Sequence, residues 1–244
     1  MSTPVLNAFL GGKIRLHQAP DGYRAGIDAA LLATAIHLKP GGRAAEFGCG
    51  AGAALLGAAV LNPGARLTGV ERDGAAAALA RSNTELNALT DRVEIMEADA
   101  LARRADPPLD AVFFNPPFFD DPNALRAPKA GKTGAWMNEA GLSAWIEAGL
   151  RRLKEGGVLT LVHRADALAA ILASLEGRAG DIAVLPVQSR EGAPAKRVIV
   201  AARKVSKAPL RLLAPLVLHP ETGSAYTSPA QALLKGEARL VLHP

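Results

Sequence analysis

The chain is expected to fold as an α/β domain: a doubly wound, seven-stranded sheet, mostly parallel, closed by a C-terminal antiparallel hairpin. Three observations carry this expectation. Short runs rich in β-branched and aromatic residues alternate with alanine-rich windows of helical length, the pattern of a sheet covered by helices on both faces. Clusters such as Lys39-Pro40-Gly41-Gly42 and Asn62-Pro63-Gly64 punctuate the joins. Of the 244 residues 49% are hydrophobic, and 50 are alanine. Roughly 70 larger apolar side chains remain, which suits small-residue helices packed closely on a sheet.

Taken in order, a helix is expected over Ile27 to Leu38, stopped by Lys39-Pro40. Arg43 to Phe47 reads as a buried strand running into a glycine-rich turn, Ala53 to Leu61 as a helix, and Arg66 to Glu71 as a second strand. Asp73 caps a long helix reaching about Ala88. Val93 to Ala98 and Leu109 to Phe114 are further strands. From Asn115 to about Asn138 the composition turns to Pro, Gly, Asp and Lys, and a stretch of that length inside a compact domain is usually functional. Helix resumes over about Ala140 to Leu153, followed by a strand from Gly157 to Val162 and a helix from Asp166 to Leu175. Ile182 to Val187 and Arg197 to Ala202 form the closing pair. No repeat or linker divides the chain, so one domain is expected over residues 1–244: an N-terminal segment (1–40), a core (41–203) and a C-terminal extension (204–244).

Composition excludes several classes. No apolar run approaches the ~18 residues of a membrane span. The N-terminus lacks a basic stretch ahead of a hydrophobic one, so a secretory signal is not expected. A single cysteine, Cys49, rules out an internal disulfide and a multi-cysteine zinc site, and a cytoplasmic setting is expected. The five histidines have no metal-ligand spacing, so no metal is expected. The net charge of +5 is uneven: residues 1–150 carry 14 Lys/Arg against 16 Asp/Glu, residues 151–244 carry 14 against 7. A basic second half is what a nucleic-acid partner would favour.

The chemistry concentrates at strand ends. Glu46-Phe47-Gly48-Cys49-Gly50-Ala51-Gly52 joins a strand to a helix, where glycines let a ligand approach the main chain. With Ala53 the turn also satisfies G-x-G-x-x-G/A, which leaves a nicotinamide dinucleotide site open on this motif. Glu71, ending the second strand, can accept from both hydroxyls of a ribose. Glu46 would repel a pyrophosphate and instead suits an ammonium or sulfonium. Asp99, in Glu97-Ala98-Asp99-Ala100, can accept from an exocyclic adenine amine. Three carboxylates after three successive strands point to a cationic ligand that carries adenosine.

The fourth of these strands ends in Phe113-Phe114-Asn115-Pro116-Pro117-Phe118. The prolines fix the backbone and remove two donors. The Asn115 amide oxygen and the Pro116 carbonyl can receive both hydrogens of a planar NH2 group, localising the nitrogen lone pair for attack on an electrophile. Phe118 offers a ring on which a base or an amide can stack.

This constellation resembles the class I S-adenosylmethionine-dependent methyltransferases, in particular the amino-directed branch carrying Asn-Pro-Pro-Phe/Tyr, over roughly residues 24–203. The resemblance implies the Rossmann-like methyltransferase fold and S-adenosyl-L-methionine as cofactor. It implies that Glu46, Gly48, Cys49, Gly50 and Gly52 lie near the methionine moiety, Glu71 on the ribose, and Asp99 with Ala100 near the adenine. It also implies that Asn115, Pro116, Pro117 and Phe118 meet the target amine, with Asn115 bordering the cofactor as well. The order of features is most similar to bacterial tRNA (adenine-N6)-methyltransferases that modify adenine 37 of a valine tRNA. Arg24-Ala25-Gly26-Ile27-Asp28-Ala29-Ala30-Leu31-Leu32 is similar to the Lys/Arg-x-Gly-x-Asp-x-x-Leu-Leu segment of that family, and Pro215 to His219 with Tyr226-Thr227 to its closing segment. The long stretch after the target motif departs from that pattern. Its Lys129 and Lys132, together with Arg24, are the candidate substrate contacts.

The expected activity is therefore methylation of an exocyclic amine, most directly adenine N6 in tRNA. Protein glutamine N5, rRNA guanine N2 and a small molecule are the alternatives, and outside enzymes a cofactor-binding RNA-interaction protein. The oligomeric state is not legible. Ala130-Gly131-Lys132-Thr133 superficially matches the end of a P-loop, but Arg126 stands where its first glycine is required and no strand precedes it.

Overall fold

Parallel strands need a crossover longer than a tight turn, and helices that stack small side chains on the sheet supply it here. In the computed structural model, which describes residues 5–18, 26–102, 107–116 and 135–243 (of 135–140 the backbone only), the crossovers are short and alanine-rich. β1 (Val5–Phe9) and β2 (Ile14–Gln18) form an antiparallel hairpin of their own. Then follow α1 (Ile27–Ala35), β3 (Arg43–Phe47), α2 (Ala53–Leu61), β4 (Arg66–Glu71), α3 (Gly74–Leu86), β5 (Val93–Glu97) and β6 (Leu109–Phe114). α4 (Ala135–Arg152), β7 (Leu153–Arg164), α5 (Leu168–Leu175), β8 (Ala179–Arg190) and β9 (Ala195–Lys204) complete the core. β10 (Arg211–Leu212), β11 (Leu216–His219) and α6 (Ser228–Leu234) form the C-terminal part.

The main sheet runs β10-β8-β9-β7-β6-β3-β4-β5, with β11 also on β8. β7, β6, β3, β4 and β5 are mutually parallel, and β9 pairs antiparallel with both β7 and β8. Strands β3 to β9 are the seven expected; two short parallel strands, β10 and β11, extend the sheet beyond seven along β8. Alternating residues of each strand feed two cores. One face holds Ala44, Leu67, Ala111, Phe113, Val162, Ile199 and Ala201 beneath α1, α2 and α6. The other holds Phe47, Val70, Val112, Phe114, Leu159, Leu161 and Val200 beneath α4 and α5.

Several boundaries differ from expectation for physical reasons. α1 ends at Ala35, three residues early, and Ile36 is extended. Helix already begins at 135, whereas an irregular stretch is expected to about Asn138; the helical dihedrals break at Gly141 (φ 47°, ψ 160°) before the main part of α4. β7, β8 and β9 run several residues beyond their apolar centres, because antiparallel pairing from Val158↔Arg203 to Arg164↔Arg197 continues through polar positions. The β1–β2 hairpin is not among the expected elements. Its signal is present as the alternation Ile14-Arg15-Leu16-His17-Gln18, with the even positions buried, after the left-handed turn Leu10-Gly11-Gly12.

The C-terminal part is held by half-buried polar contacts. Asp181 receives Arg203 Nε (3.2 Å), Arg211 (3.0 Å) and His243 Nδ1 (3.0 Å). Burial by itself would raise the Asp181 carboxyl; His243, Arg203 and Arg211 outweigh it and hold it below the ordinary value. The stabilisation is therefore present above pH about 4 and lost as pH falls through the depressed native value. Asp181→Ala, which leaves the Arg203 and Arg211 guanidinium groups and the His243 ring without their acceptor, is expected to cost about 1–3 kcal/mol at neutral pH in denaturant titrations. That difference should shrink below pH about 4. Arg239, half-buried, donates to the carbonyls of Thr34, Ile36 and Leu61 and to Asn62 Oδ1, satisfying the open ends of α1 and α2 together.

The basic second half reads differently in three dimensions. Arg190 binds the Pro220 and Gly223 carbonyls, Arg197 binds Asp28, Lys204 binds the Leu153 carbonyl, and Arg203, Arg211 and Arg239 hold the groups just named. Much of the positive charge is internal bracing. The sequence asymmetry does not by itself mark a nucleic-acid surface.

Candidate active site

The strand order places β6, β3, β4 and β5 side by side and parallel, so their carboxyl ends share one edge. The chain reverses its direction of travel across the sheet between β3 and β6, and that crevice is where open α/β sheets bind ligands. Glu46 is the penultimate residue of β3, Glu71 ends β4, Asp99 follows β5 by two residues, and Asn115 directly follows β6. The fold therefore brings these four predicted residues to one edge.

The turn after β3 is built from left-handed backbone: φ is +64° at Gly48, +55° at Gly50 and +87° at Gly52. At Gly48 space matters as well, since an added Cβ would lie 2.9 Å from the Trp145 ring. Trp145 in turn meets Phe114 edge-on (5.6 Å, 64°), and Phe114 stacks on Phe47. Gly48 and Cys49 N–H both donate to the Val70 carbonyl, and Gly52 N–H to the Cys49 carbonyl. Cys49 is buried; burial and the carboxylates of Glu46 and Glu71 push its thiol well above the ordinary value, so it is a poor nucleophile.

Glu46 is 4% exposed, and its Oε2 is enclosed with no hydrogen-bond partner among the described residues. Burial pushes its carboxyl well above 4.5 and the charge of Glu71 adds to this, while the Leu55 N–H opposes it. Glu71 accepts Gly50 N–H on Oε2 (2.8 Å) and the Arg72 and Asp73 N–H groups on Oε1 (2.8 and 2.9 Å). A carboxylate has about four acceptor positions and three are taken, so one ribose hydroxyl fits the fourth on Oε2 and a second would displace the Gly50 amide. Asp99 is exposed and accepts Leu101 N–H at 2.9 Å, which leaves its other oxygen available to a ligand, and Ala100 is buried behind it.

Asn115 is half-buried and Pro116 buried. Pro117, Phe118, Arg24, Lys129 and Lys132 lie outside the described residues. Sequence reasoning missed Trp145 against the glycine turn, the Asp28–Arg197 ion pair (2.7 Å) that ties the start of α1 to β9, and Asn83 of α3. Asp28 is the acid of the Arg-x-Gly-x-Asp segment, but its partner Arg197, like the contacts of Trp145 and Asn83, is revealed only by packing. Among the described residues no cluster of His, Cys, Asp and Glu could hold a metal, and no helix is long and apolar enough to cross a membrane.

The residues fit S-adenosylmethionine. An enclosed carboxylate oxygen lacking a partner suits a cationic centre, and the left-handed turn exposes backbone beside it. Fold and site together define a class I S-adenosylmethionine-dependent methyltransferase. The chain belongs to the family described as Methyltransferase small domain, whose model matches residues 23–183. It is 29% identical over 145 residues to a tRNA1(Val) (adenine(37)-N6)-methyltransferase of Bacteroides thetaiotaomicron, covering 59% of this chain and 60% of that protein. A Yersinia pestis protein of the same name is 28% identical over 182 residues, 72% of this chain and 73% of its own. Among solved structures, a predicted O-methyltransferase from Agrobacterium tumefaciens aligns with TM-score 0.74 and 30% identity over 88% of this chain and 98% of that one. A precorrin-6y C5,15-methyltransferase from Geobacter metallireducens, at TM-score 0.53 and 22% identity over 78% and 94%, shares the fold.

Proposed function

We propose that this protein methylates an exocyclic amine, specifically adenine N6 of a tRNA in the cytoplasm. The observation that carries the reading is Asn115-Pro116 at the carboxyl end of β6, beside the strand that bears Glu46 and the glycine turn. When bound, S-adenosylmethionine supplies an electrophilic methyl group on a sulfonium. The chain's own residues position the reactants. Glu46 and the turn 48–52 hold the methionine end, Glu71 the ribose, and Asp99 with Ala100 the adenine. The Asn115 amide oxygen and the Pro116 carbonyl accept the two amine hydrogens and aim the nitrogen lone pair. No side-chain base is required before attack, because the nitrogen loses its proton once it is alkylated. Phe118 stacks on the target base, Pro117 stiffens the turn, and Arg24, Lys129 and Lys132 contact phosphates.

The names of the Bacteroides and Yersinia relatives support an adenine in tRNA. The Agrobacterium structure carries an O-methyltransferase name, but a hydroxyl has one hydrogen and would leave one of two paired acceptors without a donor. Nucleoside mass spectrometry of separated tRNA and rRNA from a deletion strain tests the proposal. N6-methyladenosine should fall in the tRNA pool and return with the wild-type gene. Unchanged N6-methyladenosine in both pools would move the target to rRNA guanine N2, protein or a small molecule.

A further inference from the structure

Helix α3 buries a stripe made of Ala77, Ala80, Asn83 and Thr84, so a carboxamide stands in a face of otherwise small residues. Asn83 is 0% exposed. Its Oδ1 accepts the His17 N–H at 2.7 Å, and its Nδ2 donates to the His17 carbonyl at 3.0 Å and to the Ala51 carbonyl at 2.9 Å. The amide thus pairs with both main-chain groups of His17, as a neighbouring strand would, and uses its second hydrogen to hold the glycine turn. Asn87, one turn further on, repeats the first half of this arrangement. It accepts Arg15 N–H at 2.9 Å and donates to the Arg15 carbonyl at 2.7 Å, but its remaining bond goes to the Asn83 carbonyl of its own helix.

We propose that Asn83 is a positioning residue for the cofactor, registering the β1–β2 hairpin and the turn 48–52 against one helix. The turn is otherwise tied from the β4 side: Gly48 and Cys49 to the Val70 carbonyl, Gly50 to Glu71 Oε2. Asn83 is the anchor on the other side. Among the described residues no other side chain holds the Ala51 carbonyl. A fully satisfied buried amide rigidifies what it joins, and a turn already in its bound shape costs less to order around a ligand. Removing the amide strands the His17 N–H and two carbonyls, and the turn loses its register together with the hairpin.

Asn87 supplies the control, because it holds the same hairpin through the same kind of bonds without touching the turn. The experiment is calorimetric titration of S-adenosylhomocysteine into the full-length protein, wild type, Asn83→Ala and Asn87→Ala, with the melting temperature of each. Both variants should melt lower. Asn83→Ala should bind about tenfold more weakly and Asn87→Ala within about twofold of wild type. Asn83→Asp, which sets a carboxylate oxygen against two carbonyls, should bind at least as weakly as Asn83→Ala. If Asn83→Ala does not fold, Asn83→Ser, retaining one donor, is read in its place and should lie between wild type and Asn83→Asp. Unchanged binding in the Asn83 variants, or equal weakening in Asn87→Ala, overturns the proposal. The proposal rests on the turn 48–52 being the cofactor site. Absence of binding to the wild type would overturn that reading instead.

Discussion

Asn115→Ala is expected to slow methyl transfer by about a hundred- to a thousandfold, the scale on which losing one aligned polar group at a reacting centre acts. Cofactor affinity should be unchanged. β6 is anchored independently of this side chain: Phe113 and Phe114 are fully enclosed, and the strand is paired on both sides, to β3 and β7. Alanine removes the amide oxygen that would accept one amine hydrogen and leaves the Pro116 carbonyl where it is. The loss should therefore appear in the single-turnover rate at saturating substrate, with S-adenosylhomocysteine binding measured in parallel. A retained rate would remove Asn115 from the chemistry. Lost cofactor binding with intact folding would reassign it to the cofactor alone.

The second large effect concerns Glu46. Its carboxyl is raised well above 4.5, first by burial and then by the charge of Glu71. The folded protein therefore holds a proton that the unfolded chain releases, and stability without ligand falls as pH rises from about 4.5 through the raised native value. A sulfonium or ammonium beside the carboxylate favours the ionised form. Affinity for S-adenosylmethionine should then increase with pH across that window and level off above it. Proton release should accompany binding within the window. Glu46→Gln keeps the shape and removes the charge. It should bind about ten- to a hundredfold more weakly on the plateau, the worth of a hydrogen bond to a charged group, and show no such pH dependence. Wild-type affinity that is flat from pH 5 to 9, measured by titration calorimetry, would place the cation elsewhere.

The outline of both predictions is visible in the sequence. β3, α2, β4 and β6 fall at the expected residues, because each is a short apolar or alanine-rich run, ended by Gly48, Asn62, the helix-capping Asp73 and Asn115 in turn, and such breaks are local chemistry. The Asp73 cap forms as expected, its side chain accepting Ala76 N–H at 2.8 Å. Polar strand margins are a different matter. Arg190 and Lys204 lie in strands because a partner strand continues beside them, and nothing in their own propensity says so.

Charge shows the same division. Seven excess cations in the last 94 residues are a fact of composition, but Arg203 and Arg211 converge on Asp181, and Arg239 closes two helix ends. Which cations face solvent depends on distant acceptors brought close by folding. Glu71 carries the same lesson. A strand-end acid is legible as a ribose acceptor, whereas its three bonds to the Gly50, Arg72 and Asp73 amides appear only once β4 and the turn after β3 stand side by side.

What the sequence alone determined is the order of strands and breaks and the identity of the groups at their ends: an acid, a glycine turn, two more acids, and Asn-Pro-Pro-Phe. These are set by residue chemistry within a few positions along the chain. Tertiary structure decided which of those groups share an edge, that enclosure raises the Glu46 carboxyl, and that Asn83, 32 residues from Ala51, braces the turn. Burial and pairing of that kind arise from contacts between distant segments, and their energies depend on what surrounds a group rather than on which group it is.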